Sequence, residues 1–194
     1  LGAIFLHIST DYVYHDSKNL YLVEESVIKQ KSIYSQSKTL GEKLIKENCK
    51  KFIILRTSWL YGSHKNNFFT KISKLIKTQN CIKVVNDQIG SPTYAYDLAK
   101  VIIEIIMNNK NKSGLFHYSN EGEISWFEFA ESIKEFYNLD CKIIGVSSKE
   151  FKTLAKRPKY SLLNKSKIKT TFNLEIPNYK QSLKNCIEII KNEA

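Results

Sequence analysis

Apolar residues run along this chain in two rhythms. Nearly continuous apolar runs at residues 3–8 and 52–55 read as strands buried on both faces, with another short strand at 81–85. Further strands are expected at 114–118 and 141–146. Between them, apolar positions recur every three or four residues. This predicts helices over 32–48, 67–78, 96–107, 125–137 and 179–191. In the third of these, Ile102, Ile105 and Ile106 are expected to form the buried stripe. Ser125-Trp-Phe-Glu128 is a capping box that opens the fourth. Residues 11–31 read as a polar loop, Gly90 and Pro92 mark 86–93 as another, and 155–161 has little periodicity. Strands alternating with helices make the class α/β.

Composition narrows the picture. A chain of 194 residues, 42% hydrophobic and 12% aromatic, has the length and apolar content for a substantial core. The net charge of +11 is mostly lysine spread along the whole chain. No basic block interleaved with aromatics accompanies it, so it reads as solvated lysine faces and no nucleic-acid partner is expected. No apolar run is long enough to span a bilayer, so no membrane partner is expected either. Cys49, Cys81, Cys141 and Cys186 are scattered singly, and His7, His15, His64 and His117 show no ligand spacing. Free thiols in a reducing compartment are expected, with no metal and a cytoplasmic location. His7, inside the first strand, is expected to be a satisfied core histidine. Only two arginines occur, Arg56 and Arg157. In a chain that otherwise uses lysine, each marks a place where a planar, bidentate cation matters.

The candidate chemistry lies in Ser32-Ile-Tyr-Ser-Gln-Ser-Lys38. A helix starting there puts Tyr34 and Lys38 one turn apart on one face. A phenol with a pKa of about 10 is a poor proton donor–acceptor near neutrality, and a fixed ammonium beside it favours the phenolate. Tyr-x-x-x-Lys occurs four times, also as Tyr14/Lys18, Tyr61/Lys65 and Tyr96/Lys100. Context separates them: only Tyr34/Lys38 follows, by one crossover, a strand ending in Ser9-Thr10-Asp11. In open α/β sheets ligands bind beyond the carboxyl ends of the strands.

Five segments in order carry a resemblance: Ser9-Thr-Asp-Tyr-Val-Tyr14, Tyr34-Ser-Gln-Ser-Lys38, Leu55-Arg-Thr-Ser-Trp59, Asp87-Gln-Ile-Gly-Ser-Pro-Thr93 and Lys156-Arg-Pro-Lys-Tyr-Ser161. Together they resemble the dTDP-4-dehydrorhamnose reductases, extended short-chain dehydrogenase/reductases. The resemblance implies NADPH- or NADH-dependent reduction of the 4-keto group of dTDP-4-dehydro-L-rhamnose, a dTDP-sugar substrate, and leaves a homodimer open. It makes Tyr34 the proton donor to the developing C4 alkoxide and gives Lys38 the nicotinamide-ribose hydroxyls. Thr10 takes the position of a hydroxyl bonded to the substrate near the reacting oxygen. Asp11 and Trp59 match substrate-contacting positions, with Trp59 offering a flat apolar face. From its guanidinium geometry, Arg157 is expected to grip diphosphate. Arg56 is either a neighbour of that site or a structural ion-pair residue. Gln88 stays an ordinary loop residue, and Trp126 is expected to be packing.

The implied fold is a partial Rossmann-like parallel sheet, the C-terminal portion of an NAD(P)-binding fold, with a small mixed α/β substrate part. The expected division is 1–113 and 114–194, with 80–94 contributing to the substrate side. The family's glycine-rich turn is missing: all seven glycines are isolated. The chain is therefore expected to be the later two-thirds of a reductase, with its first strand needing a neighbour on each side. By itself it is expected to bind cofactor weakly and to be inactive. The alternatives are a non-catalytic member of the fold, similar to the regulatory subunit of methionine adenosyltransferase, or another sugar-nucleotide reductase or epimerase.

Overall fold

A computed structural model describes residues 3–15, 21–108, 111–151 and 157–193. Leu1, Gly2, Lys18, Ala155 and Lys156, which carry parts of the patterns above, lie outside the described residues. The first apolar run is strand β1 (Phe5–Thr10), followed by one 3-10 turn at Asp11–Val13 and the short strand β2 (Tyr21–Leu22). Helix α1 (Ile33–Asn48) starts at a reciprocal cap. The Ser32 hydroxyl accepts from the Ser35 amide, and the Ser35 hydroxyl accepts from the Ser32 amide. Then come β3 (Phe52–Thr57), β4 (Leu60–Tyr61), α2 (Phe68–Thr78, capped by Asn67) and β5 (Cys81–Val85). Next are β6 (Ile89–Gly90), β7 (Thr93–Tyr94), α3 (Ala95–Asn108), β8 (Gly114–Tyr118) and β9 (Ile124–Ser125). The capping box at Ser125 and Glu128 opens α4 (Trp126–Tyr137), and β10 (Lys142–Val146), β11 (Tyr160–Leu163), α5 (Ser166–Phe172) and α6 (Tyr179–Glu193) complete the order.

Each long periodic segment forms its expected element. The differences fall on short pieces. Segments read as loop contain β2, β6, β7 and the start of β11, and α5 was not anticipated. Strands of two to four residues carry too few positions for alternation to register. The stripe of α3 is also rotated from the expected one. Leu98, Val101 and Ile105 are buried, Ile102 is half-buried and Ile106 is exposed.

Strands β1, β3 and β8 form a parallel sheet in the order β1-β3-β8. Its register brings Thr10 beside Thr57, and Thr57 beside Tyr118, at the carboxyl end. The expected neighbour on each side of β1 is found on one side only among the described residues, and Phe5 is half exposed. Because β8 pairs with β3, the first sheet draws on residues beyond 113. Strand β5 pairs with β10, and β11 joins β2 to β6 in a smaller mixed sheet.

Side chains alternate across β3. Ile53 and Leu55 pack with Leu98, Val101 and Ile105 of α3 and with Phe116, whereas Ile54 packs with Ile45 of α1. A second core joins α2, α4 and α6 through Phe69, Ile72, Phe129, Ile133 and Leu183. No helix among the described residues is long and apolar enough to cross a membrane. Cys141 and Cys186 are buried, Cys81 is exposed, and all four thiols are free.

A charged cluster is buried inside this frame. Arg56, on β3, meets Glu42 of α1 through two bonds: Nε to Oε1 at 2.8 Å and Nη2 to Oε2 at 2.5 Å. The Ser9 hydroxyl donates to the same carboxylate at 2.5 Å. A further guanidinium nitrogen donates to the Tyr14 hydroxyl, which lies 2.7 Å from His117 Nε2 on β8. Burial would raise the Glu42 pKa, but the hydrogen bonds and charge of Arg56 outweigh it and hold the carboxyl below its ordinary range. Burial, and then the Arg56 charge, depress His117 to about 3, so its imidazole is neutral. Arg56 is thus the ion-pair residue, the structural side of its two sequence readings.

Removing one partner from such a pair leaves a buried charge with nothing to balance it. Arg56→Met is expected to cost about 3–5 kcal/mol in urea unfolding, and adding Glu42→Leu should recover most of the loss. Equal stability of the single and double variants would contradict this account.

Candidate functional site

The carboxyl ends of β1 and β3, the start of α1 and the start of α4 enclose a cleft of about 630 Å³. All six residues singled out by the sequence line it: Thr10, Asp11, Tyr34, Lys38, Trp59 and Arg157. They arrive from four separate segments, and the parallel register explains the first of these. Thr10 is the last residue of β1, where the backbone turns over the sheet edge.

Tyr34 and Lys38 share a face of α1, as the spacing requires. Tyr34 is half exposed, and its ring stands edge-on to Tyr12 with centroids 6.0 Å apart. Lys38 Nζ donates to the Ile8 carbonyl at 2.7 Å. An ammonium has three donors, so this bond fixes the side chain and leaves two free. Glu42, one turn further on, carries the ion pair described above. The face Tyr34–Lys38–Glu42 therefore runs from the cleft into the buried network.

Thr10 is held from two directions. Its hydroxyl oxygen accepts from the Tyr12 amide at 3.2 Å, and its hydrogen goes to Asp11 Oδ1 at 3.1 Å. What remains for the cleft is a lone pair, so Thr10 faces a ligand as an acceptor. Asp11 is buried, and its Oδ2 has no hydrogen-bond partner. Burial lifts its pKa to about 7, against the pull of the Thr10 and Ser161 hydroxyls and the amides of Asp11 and Tyr12. The Ser161 hydroxyl stands near enough to favour the charge but falls short of hydrogen-bond geometry.

Trp59 and Trp126 form the aromatic wall. Their ring centroids are 3.6 Å apart with planes 9° from parallel. The Arg157 guanidinium lies over Trp126, 5.9 Å from its centroid. Trp126 was expected to be packing. It is part of the second core, but it also lines the cleft, and its position as first residue of α4 carries it there. Trp59 has a left-handed backbone, φ 48°, which L residues other than Asn and Asp seldom adopt. Gly90 lies against it: a Cβ there would sit 2.7 Å from the indole and 2.7 Å from the Ser161 hydroxyl. That close approach is why the Gln-Ile-Gly-Ser-Pro-Thr loop carries glycine at this point.

A second cavity, of about 350 Å³, adjoins the first. Asn66, Asn67, Phe68, Trp126 and Arg157 line both, and Lys71, Lys83, Gln88 and Phe151 belong to the second alone. Gln88 is buried and donates to the Ser148 hydroxyl at 2.8 Å. Of the other Tyr-x-x-x-Lys pairs, no described residue lines the cleft. Tyr14 belongs to the ion-pair network, Tyr61 to the second core, and Lys100 lies over the Tyr96 ring on an exposed helix face. His7, expected to be satisfied, is half-buried with Nε2 unpartnered. Among the described residues no group of three or more His, Cys, Asp or Glu is placed to hold a metal ion.

The family model for the RmlD substrate binding domain matches residues 1–192. The chain belongs to that family. Among curated RmlD-like relatives, the spore coat polysaccharide biosynthesis protein SpsK of Bacillus subtilis is 42% identical over 84% of this chain and 57% of its own length. The dTDP-4-dehydrorhamnose reductase of Aggregatibacter actinomycetemcomitans is 37% identical over 95% of this chain and 66% of its own. The solved dTDP-4-dehydrorhamnose reductase of Bacillus anthracis, in complex with NADP, superposes with a TM-score of 0.89 at 38% identity, over 97% of this chain and 66% of that one. The RmlD-type chain described here thus spans less than two-thirds of the length of the first of these relatives and about two-thirds of the others. The α/β architecture with parallel sheets is shared with the Bacillus anthracis structure.

The raised pKa of Asp11 has a consequence for stability. The folded chain holds this proton more tightly than the unfolded chain, so the contribution is complete below the unfolded value of 3.8 and is lost as pH rises through about 7. Asn cannot ionise. Asp11→Asn is therefore expected to gain stability over the parent by about 2–3 kcal/mol between about pH 5 and about pH 8. Paired denaturation curves would measure it, and a difference flat with pH would refute it.

Proposed function

We propose that this chain forms the catalytic and substrate-binding part of a dTDP-4-dehydrorhamnose reductase, reducing the 4-keto group of dTDP-4-dehydro-L-rhamnose to give dTDP-L-rhamnose. The observation that carries this reading is the meeting of Thr10, Asp11, Tyr34, Lys38, Trp59 and Arg157 on one cleft. The reductase names of the relatives, and the NADP of the Bacillus anthracis structure, support it.

The donor set suits the nicotinamide-ribose end of NADPH or NADH. Two free donors on Lys38, held by the Ile8 carbonyl, match a vicinal diol, and the half-exposed Tyr34 phenol lies on the same helix face. When bound, the cofactor supplies the hydride that adds to C4. As that bond forms, the carbonyl π electrons move onto oxygen, and the Tyr34 hydroxyl gives its proton to the growing alkoxide. Lys38 stabilises the phenolate left behind. Thr10, facing the cleft as an acceptor, orients a hydroxyl donor, either the Tyr34 phenol or a sugar hydroxyl. The nucleoside diphosphate runs from Arg157 into the second cavity, where Lys71 and Lys83 add positive charge. The indole wall takes the sugar's apolar face. Retention of Tyr34, Lys38 and Thr10 on one cleft weighs against the non-catalytic reading.

Tyr34→Phe removes the transferable proton and little else. In the protein prepared at its relatives' full length, kcat is expected to fall by about two to four orders of magnitude with cofactor affinity nearly unchanged. Steady-state kinetics and isothermal titration would check both halves, and near-normal turnover would rule Tyr34 out as the acid. The 194-residue chain has no glycine-rich turn to hold a pyrophosphate. Its own titration with NADPH should show weak binding or none, and a tight stoichiometric isotherm would overturn that expectation.

A further inference from the structure

Trp59 keeps a backbone conformation that costs an L residue about 1–2 kcal/mol, so its surroundings must over-determine it. Three features do so. Its carbonyl accepts from the Thr93 amide at 3.1 Å. Gly90 leaves room for the indole where a Cβ would collide. Trp126 lies flat on the ring, 3.6 Å away. The first two fix the backbone and one edge, and the stack lies against the ring plane. Trp126 is itself buried and packed. It opens a capped helix, touches Phe68 at 4.3 Å between centroids, and packs within the second core. It also lines both cavities together with Arg157.

We propose that Trp126 is a positioning residue for the nucleotide-sugar site: it acts through Trp59, setting the indole plane against which the sugar rests at the junction of the two cavities. The inference rests on the reading of the cleft as a dTDP-sugar site and adds a residue to which sequence gave only a packing role. A positioning role needs the flat π face of residue 126, whereas a packing role needs only its apolar volume. Phe and Leu at this position separate the two. Both shorten the side chain and remove the indole N–H, but only Phe keeps a ring to stack on.

The chain contains two tryptophans, and they are this pair. Near-UV circular dichroism of the parent therefore reads the stack directly, and in either variant the remaining emission is that of Trp59 alone. The test is titration of parent, Trp126→Phe and Trp126→Leu with dTDP-glucose as a stable dTDP-sugar, following fluorescence and heat. Expected are affinity within about threefold of the parent for Phe and a loss of about tenfold for Leu, in line with the worth of an aromatic pair. The Trp59 emission of the Leu variant should shift as its ring loses its stacking partner. Urea midpoints of the two variants report any difference in packing separately. If both bind as the parent does, or both weaken equally, the inference fails while the dTDP-sugar reading stands. A parent that ignores dTDP-glucose but keeps its stacked-indole signal defeats the reading, and the inference with it.

Discussion

The Arg56–Glu42 pair is the contact on which the site depends. Helix α1 packs on the sheet through few apolar groups, with Ile45 its one buried hydrophobic residue and Leu40 and Leu44 exposed. So small a stripe leaves a helix free to slide or rotate by a fraction of a turn. A guanidinium from β3 that grips a carboxylate through two nitrogens, while a serine from β1 binds the same group, removes that freedom. The pair sits one turn from Lys38 and two from Tyr34 on the same face. Its geometry is thereby passed to both groups over a short, stiff span of helix.

The same constraint reaches the far edge strand of the sheet. Arg56 also bonds Tyr14, and Tyr14 bonds His117 of β8, so β1, β3, β8, α1 and the turn after β1 meet at one buried polar cluster. Desolvating these groups is costly, and their mutual pairing offsets much of the cost, although His117 Nδ1 is buried without a hydrogen-bond partner. A neutral His117 fits this arrangement, because burial and the Arg56 charge both disfavour a second cation there.

The sequence made the long elements and the six cleft residues legible, for reasons that differ. Helices α1, α2, α4 and α6 carry several turns of periodicity, and three of them open on side-chain caps, of which Ser125-x-x-Glu128 was legible as a capping box. Thr10 and Asp11 were readable because strand ends collect ligands in a parallel sheet, and Tyr34 and Lys38 because they share a helix face, whereas Trp59 was marked by the family resemblance and Arg157 by its guanidinium. Glu42 was missed, although Tyr34, Lys38 and Glu42 stand at successive i+4 steps. A lone acidic residue on a lysine-rich helix looks solvated until the arginine opposite is known. Arg56 stood out only as one of two arginines, and its partner lies across a strand pairing that no local pattern reports.

Trp126 shows the other limit. A large aromatic after a capping serine has the signature of core packing, and this one is indeed packed. What one sequence cannot display is that a residue may be buried in a core and exposed to a cleft at its two edges. Both facts follow from its place as the first residue of α4, where the helix axis meets the wall of the site. The strain at Trp59 was equally hidden, since a positive φ leaves no mark on a Trp codon as it does on a Gly or Asn. Gly90 was visible as a turn residue, but the reason it must be glycine is the indole pressed against it. The loop and the tryptophan are thus one device, in which a missing side chain in one segment makes room for the largest side chain of another.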